Sequence, residues 1–373
     1  MKRREQRIPV MRPLLPGADK IQPYLAKIDT SRIYSNFGPL AFQLEERLAD
    51  MLKVPPYTLL SMANGTAALT LILRSMNIEP RTFCILPSWT FVATAAAAIA
   101  ADMIPFFIDV DETTWALDPQ EIAGILKYIP GKVGAVMVVA PFGYPVPLQP
   151  WDEFTDKTGI PVVVDAAAAF DTVMNLPECR NGKTPVMVSL HATKTLGIGE
   201  GALVLADDRQ LVHRIRQMSN FGFSPTRDVV LPGVNAKLSE YSAAVGLAAL
   251  DDWPEKRQKW KTITDHYQQA LDNCGSKRIS HRLNKEWVSS TCNVRIPPNC
   301  SENVIEQLGQ AGIESRKWWP RGCANMTAYQ HYPRLALPVT EKLCDEVIAL
   351  PFSVDLNKEE IDFIATELGA LIG

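Results

Sequence analysis

The sequence contains no C-x-x-C pair. Its seven cysteines (Cys84, Cys179, Cys274, Cys292, Cys300, Cys323 and Cys344) are odd in number and scattered. That argues against a disulfide framework and against a structural zinc site, and no metal is expected. Reduced thiols in a cytoplasmic protein are the expectation. An excess of charge is also missing. The 38 Lys and Arg against 41 Asp and Glu leave a net charge of −3, so neither nucleic acid nor an anionic membrane is an expected partner. Long apolar runs are absent too. The basic start at Lys2, Arg3 and Arg4 is followed by Arg7, Pro9, Arg12 and Pro13, which interrupt any signal-peptide core. The most apolar stretch, residues 91–108, contains Asp102 and Pro105 and reads as helix, turn and strand rather than a membrane span. No internal repeat or low-complexity tract is visible.

What remains is ordinary for a globular chain. At roughly 150 residues per domain, 373 residues suggest about two domains. Residues 40–52 have helical periodicity, with Leu44, Leu48, Met51 and Leu52 on one face. Helices are predicted at 66–76, 90–101 and 119–127, the last with Asp118 as N-cap and Pro119 at its first position. Short apolar strands are predicted at 84–86, 104–108, 133–140, 161–164, 187–190 and 201–205. This alternation implies an α/β fold with a mostly parallel sheet covered on both faces. Beyond Asp251 the pattern changes. A long polar helix at 254–271 precedes a strand-like 288–296, a helix at 301–311, an apolar 343–351 and a closing helix at 358–372. The expected division is a large domain over 1–250, with an N-terminal arm, and a smaller α+β domain over 251–373.

In open α/β sheets, ligands sit beyond the carboxyl ends of the strands, and several such ends here carry reactive residues. Asn64-Gly65-Thr66 opens a helix, so free amides and the positive dipole end can cradle a phosphate, with the Thr66 hydroxyl as a further donor. A plain N-cap explains the same residues. Asp165 follows Val162-Val163-Val164, where a buried carboxylate is costly unless paired. A protonated pyridine nitrogen is one partner, and a structural ion pair or cap is the alternative. Ser189-Leu190-His191-Ala192-Thr193-Lys194 runs from a strand end into a turn with Gly197, Gly199 and Gly201. A desolvated lysine there becomes a Schiff-base nucleophile, and Ser189 could reach a phosphate. Most lysines are simply solvated loop residues. Phe91 could stack on a flat ring or pack in the core. Asn235 sits in a turn before an Ala-rich helix, for which a turn is explanation enough.

In combination these residues resemble the DegT/StrS (DegT/DnrJ/StrS) sugar aminotransferases of the fold-type-I pyridoxal-phosphate (PLP) enzymes. The similarity runs from about Tyr34 to the C-terminus. It includes Asn36-Phe37-Gly38-Pro39, Gly65-Thr66-Ala67-Ala68-Leu69, Pro87-Ser88-x-Thr90-Phe91-x-Ala93-Thr94, Asp109-Val110-Asp111 and Leu117-Asp118-Pro119. It continues through Asp165-Ala166-Ala167, Ala192-Thr193-Lys194, Gly199-Glu200-Gly201, Gly233-x-Asn235 and Leu350-Pro351-Phe352-Ser353.

The resemblance implies roles. Lys194 matches the lysine that binds PLP and later moves the proton. Asp165 matches the acid beside the pyridine nitrogen, and Phe91 the stacking aromatic. Gly65, Thr66 and Ser189 match phosphate contacts. Asn235 matches a residue that reaches the cofactor phosphate of the neighbouring subunit, which implies a homodimer with shared sites. The implied reaction moves an amino group from glutamate to a nucleotide-linked keto sugar. Thr193-Lys194 followed by Gly199-Glu200-Gly201 resembles enzymes acting at sugar C4, with a dTDP-4-keto-6-deoxyhexose as the leading acceptor. Action at C3 is the nearest alternative. A PLP-dependent sugar dehydratase would have histidine in place of Lys194, and a non-catalytic regulator would have lost Lys194 or Asp165. Three departures stand out. Ala236-Lys237 follows Asn235 where an aromatic and then an arginine are usual. Ala168 occupies a position that usually carries Gln or His near the cofactor's phenolate. The usual late Tyr- and His-containing segment is Arg316-Lys317-Trp318-Trp319-Pro320-Arg321, from which Arg316, Lys317, Trp318 and Arg321, with His191, are candidate substrate contacts. A packed loop with snorkelling cations explains that run equally well.

Overall fold

The computed structural model describes residues 7–373, so the basic start at Lys2, Arg3 and Arg4 lies outside the described residues. Seven strands build the main sheet: β1 (Leu59–Met62), β2 (Phe83–Pro87), β3 (Ile104–Ile108), β4 (Val133–Val139), β5 (Val162–Asp165), β6 (Val186–Ser189) and β7 (Ala202–Leu205). Their spatial order is β1-β7-β6-β5-β4-β2-β3. The run from β6 to β3 pairs in parallel, and β7 is antiparallel to both β6 and β1. Of the seven, therefore, only β7 runs backwards.

The strands read as unbroken apolar runs because both faces are covered. Val136 and Val138 of β4 face one core, packed with the helices Pro39–Leu52 and Glu240–Asp251. Met137 between them faces the other, packed with the helices Gly65–Ser75, Val92–Ala100 and Arg209–Met218. The two-residue period of a strand makes this division. A third core holds β8 (Ser280–His281), β9 (Cys292–Arg295) and β10 (Val347–Leu350), an antiparallel sheet ordered β10-β9-β8. The helices Trp253–Asp272, Ser301–Gln310 and Lys358–Ile372 pack on it.

Two segments cross between the large and small sheets. Residues 322–340 return to the large sheet, where Cys323 N donates to Ser88 O (2.6 Å) and Leu335 N to Phe107 O (3.0 Å). The N-terminal segment runs the other way, with Ile8 paired to Ile313 and Phe352 N donating to Val10 O (3.1 Å). The expected strand at 288–296 shortens to β9, and the expected helix at 90–101 begins at Val92, leaving Phe91 at its N-cap. The helix Ala18–Ser31 gives little sequence signal, because it holds Pro23 and buries only Ile28. No helix among the described residues is long and apolar enough to cross a membrane.

Candidate active site

Five of the parallel-running strands (β1, β2, β4, β5 and β6) deliver their C-terminal ends, or the turns after them, to one cavity of about 690 Å³. That lies within the ~300–1,000 Å³ range of small-molecule sites. Asn64, Gly65, Thr66, Phe91, Asp165, Ser189, His191 and Lys194 all line it, as does Ala168. The sequence places these residues as far apart as 64 and 194, and the order of the strands brings them together.

One end of the cavity is built from the turns after β1 and β6. Asn64 caps the following helix, its Oδ1 accepting from Ala67 N at 2.9 Å. The plain-cap reading therefore holds for Asn64 but does not account for Gly65 and Thr66, whose first-turn amides have no intrahelical acceptor. Ser189 lies beside them: a methyl group built on Gly65 would stand 3.7 Å from the Ser189 Cβ and 3.0 Å from the Met187 sulfur. A side chain at position 65 would thus press on Met187 and Ser189 of β6, so the glycine lets the helix start lie close to that strand end.

The opposite end is Asp165, 5% exposed. Thr94 Oγ1 donates to its Oδ2 at 2.8 Å, and Ala167 N donates to Oδ1 at 3.2 Å. Thr90 lies 2.7 Å from Thr94 and, with the Thr94 proton given to Asp165, must itself be the donor. Burial pushes the Asp165 carboxyl up, while Thr94, the Ala167 amide and the Lys194 charge pull it back. A cation brought against it would release that cost.

Lys194 lies in a tight loop after β6. Its amide donates to His191 O (2.8 Å), and Ala192 N donates to Gly199 O (2.8 Å). Gly199 has φ +99°, and a Cβ on Gly197 would sit 2.4 Å from Ala192 O, so the glycines here allow the loop to close on itself. Lys194 keeps part of its surface open to the cavity and is enclosed by protein elsewhere. This desolvation lowers its amine below the ordinary lysine value, opposed by Asp165. A neutral amine is the nucleophilic form. His191 faces the cavity with its Nδ1 2.8 Å from Thr193 Oγ1 and its Nε2 3.8 Å from Glu200.

The candidate residues do not all meet. Asn235 is on the surface, where its Oδ1 accepts from Lys237 Nζ at 2.8 Å, and it does not line this cavity. Trp318 lines it, but Arg316 pairs with Glu314, Lys317 with Glu302 (2.8 Å), and Arg321 is exposed. Phe91 does line it, with 61% of its surface exposed.

Sequence reasoning missed four contributors. Thr94 is the direct partner of Asp165, and its spacing of four from Thr90 at a helix start was the available signal. Phe142 and Trp319 stack at 4.2 Å and 19° to form an aromatic wall, and Met11 reaches the cavity from the far N-terminus. Neither contact leaves a local pattern in sequence.

An open helix N-terminus, a buried carboxylate and a desolvated lysine in one cavity fit the donor set that PLP requires. A model of the DegT/DnrJ/EryC1/StrS aminotransferase family matches residues 17–369. The chain is 28% identical to a dTDP-4-amino-4,6-dideoxy-D-glucose transaminase of Escherichia coli, over 95% of this chain and 96% of that one. It is also 28% identical to a UDP-2-acetamido-2-deoxy-3-oxo-D-glucuronate aminotransferase of Pseudomonas aeruginosa, over 89% and 90%. The crystal structure of DesI in the presence of its TDP-sugar product superposes with a TM-score of 0.87 at 28% identity, covering 98% of this chain and 93% of that one. The fold and its site define a fold-type-I, PLP-dependent sugar aminotransferase. The chain belongs to the DegT/DnrJ/EryC1/StrS aminotransferase family.

Proposed function

We propose that this enzyme transfers the amino group of glutamate to C4 of a dTDP-linked 4-keto-6-deoxyhexose, with Lys194 as the cofactor lysine. The observation that carries this reading is the placement of Lys194, Asp165 and the Gly65–Ser189 cradle around one cavity. PLP, when bound, supplies an electron sink that stabilises negative charge at the substrate carbon. The chain's residues do the rest. Asp165, itself held by Thr94, would pair with the protonated ring nitrogen. Gly65, Thr66 and Ser189 would hold the phosphate, and Phe91 would cover a ring face. Lys194 Nζ, as a free amine, would take the proton from the amine-bearing carbon of the donor and, in the reverse half-reaction, deliver one to the sugar carbon of the acceptor. The Phe142–Trp319 wall limits water around that proton.

Action at C4 is supported by the Thr193-Lys194 and Gly199-Glu200-Gly201 pattern. A neutral 6-deoxy sugar is supported by the lining, which carries Asp165 and Glu200 but no arginine among the described residues. A uronate carboxylate there would meet no guanidinium to pair with. Trp318, which lines the cavity, is the proposed contact for the nucleotide. The relative acting on a 3-oxo sugar favours C3 as the second reading. The enzyme is further proposed to be a cytoplasmic homodimer in which Asn235 serves the partner's site. Exposed Ile33, Tyr34, Phe42, Phe221, Val230 and Tyr241 support an extended contact face.

The test is a parallel assay with 4-keto and 3-keto nucleotide sugars and glutamate as donor. The expected result is a kcat/KM at least tenfold higher for the 4-keto-6-deoxy acceptor. A preference for the 3-keto acceptor would replace this reading by C3.

A further inference from the structure

The space behind Lys194 is closed by a segment that the chemistry above does not use. Ile8 and Val10 are buried against the small sheet, held by Ile8 N to Gly312 O (2.9 Å), Glu314 N to Ile8 O (2.9 Å) and Val10 N to Glu314 Oε2 (3.1 Å). The chain then leaves that sheet. Met11 lines the substrate cavity beside Lys194, and Met11, Arg12, Pro13 and Leu14 together cover a second, much smaller space behind the same lysine. That space, about 10 Å³, is bounded on its other sides by Ala192, Thr193, Lys194, Trp260 and Lys256. It is at the lower limit for a single water.

The covering segment has no helix or strand of its own over residues 11–16, and Pro13 and Pro16 hold it extended. Two polar contacts fasten it. Arg12 Nε lies 3.3 Å from Asp355, both groups well exposed, so this pair contributes little. Lys256 Nζ donates to Leu14 O at 2.7 Å. Lys256 comes from the first turns of the helix Trp253–Asp272, is partly buried, and spends its ammonium on a carbonyl although Asp252 and Glu255 line the neighbouring cleft. Burial pushes its amine down to about 8. A buried amine given to a single backbone oxygen makes structural sense if that oxygen has to be kept in place.

We propose that residues 11–14 form a positioning strap that shuts water out from behind Lys194, and that Lys256 is the positioning residue that fastens it. The proposal rests on Lys194 being the cofactor lysine. Met11 is the inner surface of the strap, an unbranched thioether that fills an irregular gap. Lys256 acts through Leu14 and touches neither cofactor nor substrate.

The desolvation of Lys194 is then partly the work of the strap, which makes the idea measurable without any sugar. The titratable and charged groups lining the spaces around Lys194 are Asp165, His191, Glu200, Arg12 and Lys256. The experiment uses the full-length apo-protein, mixed with PLP across a pH range. Covalent incorporation is trapped with borohydride and read by mass, so that the rate against pH reports the Lys194 amine. Two variants are compared with the wild type. Lys256→Met frees the strap but also removes a charge. Met11→Ala opens the inner surface, alters no charge and leaves the Lys256–Leu14 bond intact, so its fold is not at risk. The expected result is an upward shift of the inflection in both variants, toward the ordinary lysine value, with several-fold faster loss of unreduced PLP. An unchanged inflection in Met11→Ala overturns the proposal, including the case where Lys256→Met shifts through its charge alone. Lys194→Ala, run beside them, separates this outcome from failure of the lysine assignment. If it still incorporates PLP, the assignment is wrong rather than the strap.

Discussion

Asp165 shows how a residue at this site is prepared for its role. It ends a strand of three valines, so its backbone is fixed by sheet pairing on both sides. Burial opposes its charge, and the Thr90–Thr94 relay supplies part of the compensation. A hydrogen bond to a charged group contributes about 1.5–3 kcal/mol. Replacing Thr94 by Val keeps the shape and removes the donor. The carboxyl then shifts further up, less of it is ionised to meet the ring nitrogen, and PLP binding weakens roughly tenfold or more. A fluorescence titration of the apo-variant checks this, and wild-type affinity would show that Thr94 does not support Asp165. At this scale the sequence singled out Asp165, Ser189 and Lys194 because they lie at or just after predicted strand ends, and Gly65 because it opens a predicted helix. It was silent about Phe142 and Trp319, whose stacking depends on a return of the chain from residue 319 to the large sheet. Ala168 lies in the cavity wall as a small residue.

Whole elements are locked to one another by buried charges. Glu240, fully buried at the start of its helix, accepts from the amides of Leu40 and Ala41 at 2.8 Å each and so caps the helix Pro39–Leu52 from 200 residues away. Asp171 does the same between the large and small sheets. It accepts from Arg257 Nε at 2.6 Å and from Val288 N at 2.9 Å. Arg257 belongs to the long helix Trp253–Asp272 that also carries Lys256. Removing one partner of such a pair leaves a buried charge uncompensated and costs about 3–5 kcal/mol. Arg257→Ala is expected to melt well below the wild type, with the loss read by calorimetry on the apo-protein. A melting temperature within a degree or two of wild type would mean that Val288 N and Asn175 Nδ2 satisfy Asp171 without Arg257. None of this was legible beforehand, because a Glu or Asp in sequence does not show which distant amide it will meet. Helix and strand placement was more legible. The period-two alternation in β4 and the helical stripe of residues 40–52 both depend only on near neighbours.

For the molecule as a whole, the sheet order explains why one cavity collects residues from five strand ends. The parallel run β6-β5-β4-β2 puts every carboxyl end on the same edge, and β1 joins them because β7 alone is reversed. The alternation of elements in the sequence implied such a sheet, but not its order, which is set by crossover connections that leave no local signal. Asn235, held by Lys237, stands outside that cavity on the outer surface, where a second copy is proposed to use it. The account depends most heavily on Lys194. Its direct test is transfer of ¹⁵N from labelled glutamate to a dTDP-4-keto-6-deoxyhexose by the PLP-loaded enzyme, with Lys194→Ala beside it. The account predicts ¹⁵N at C4 of the sugar for the wild type and none for the variant. Transfer that persists without Lys194, or label absent from the sugar with 4-keto and 3-keto acceptors alike, contradicts it.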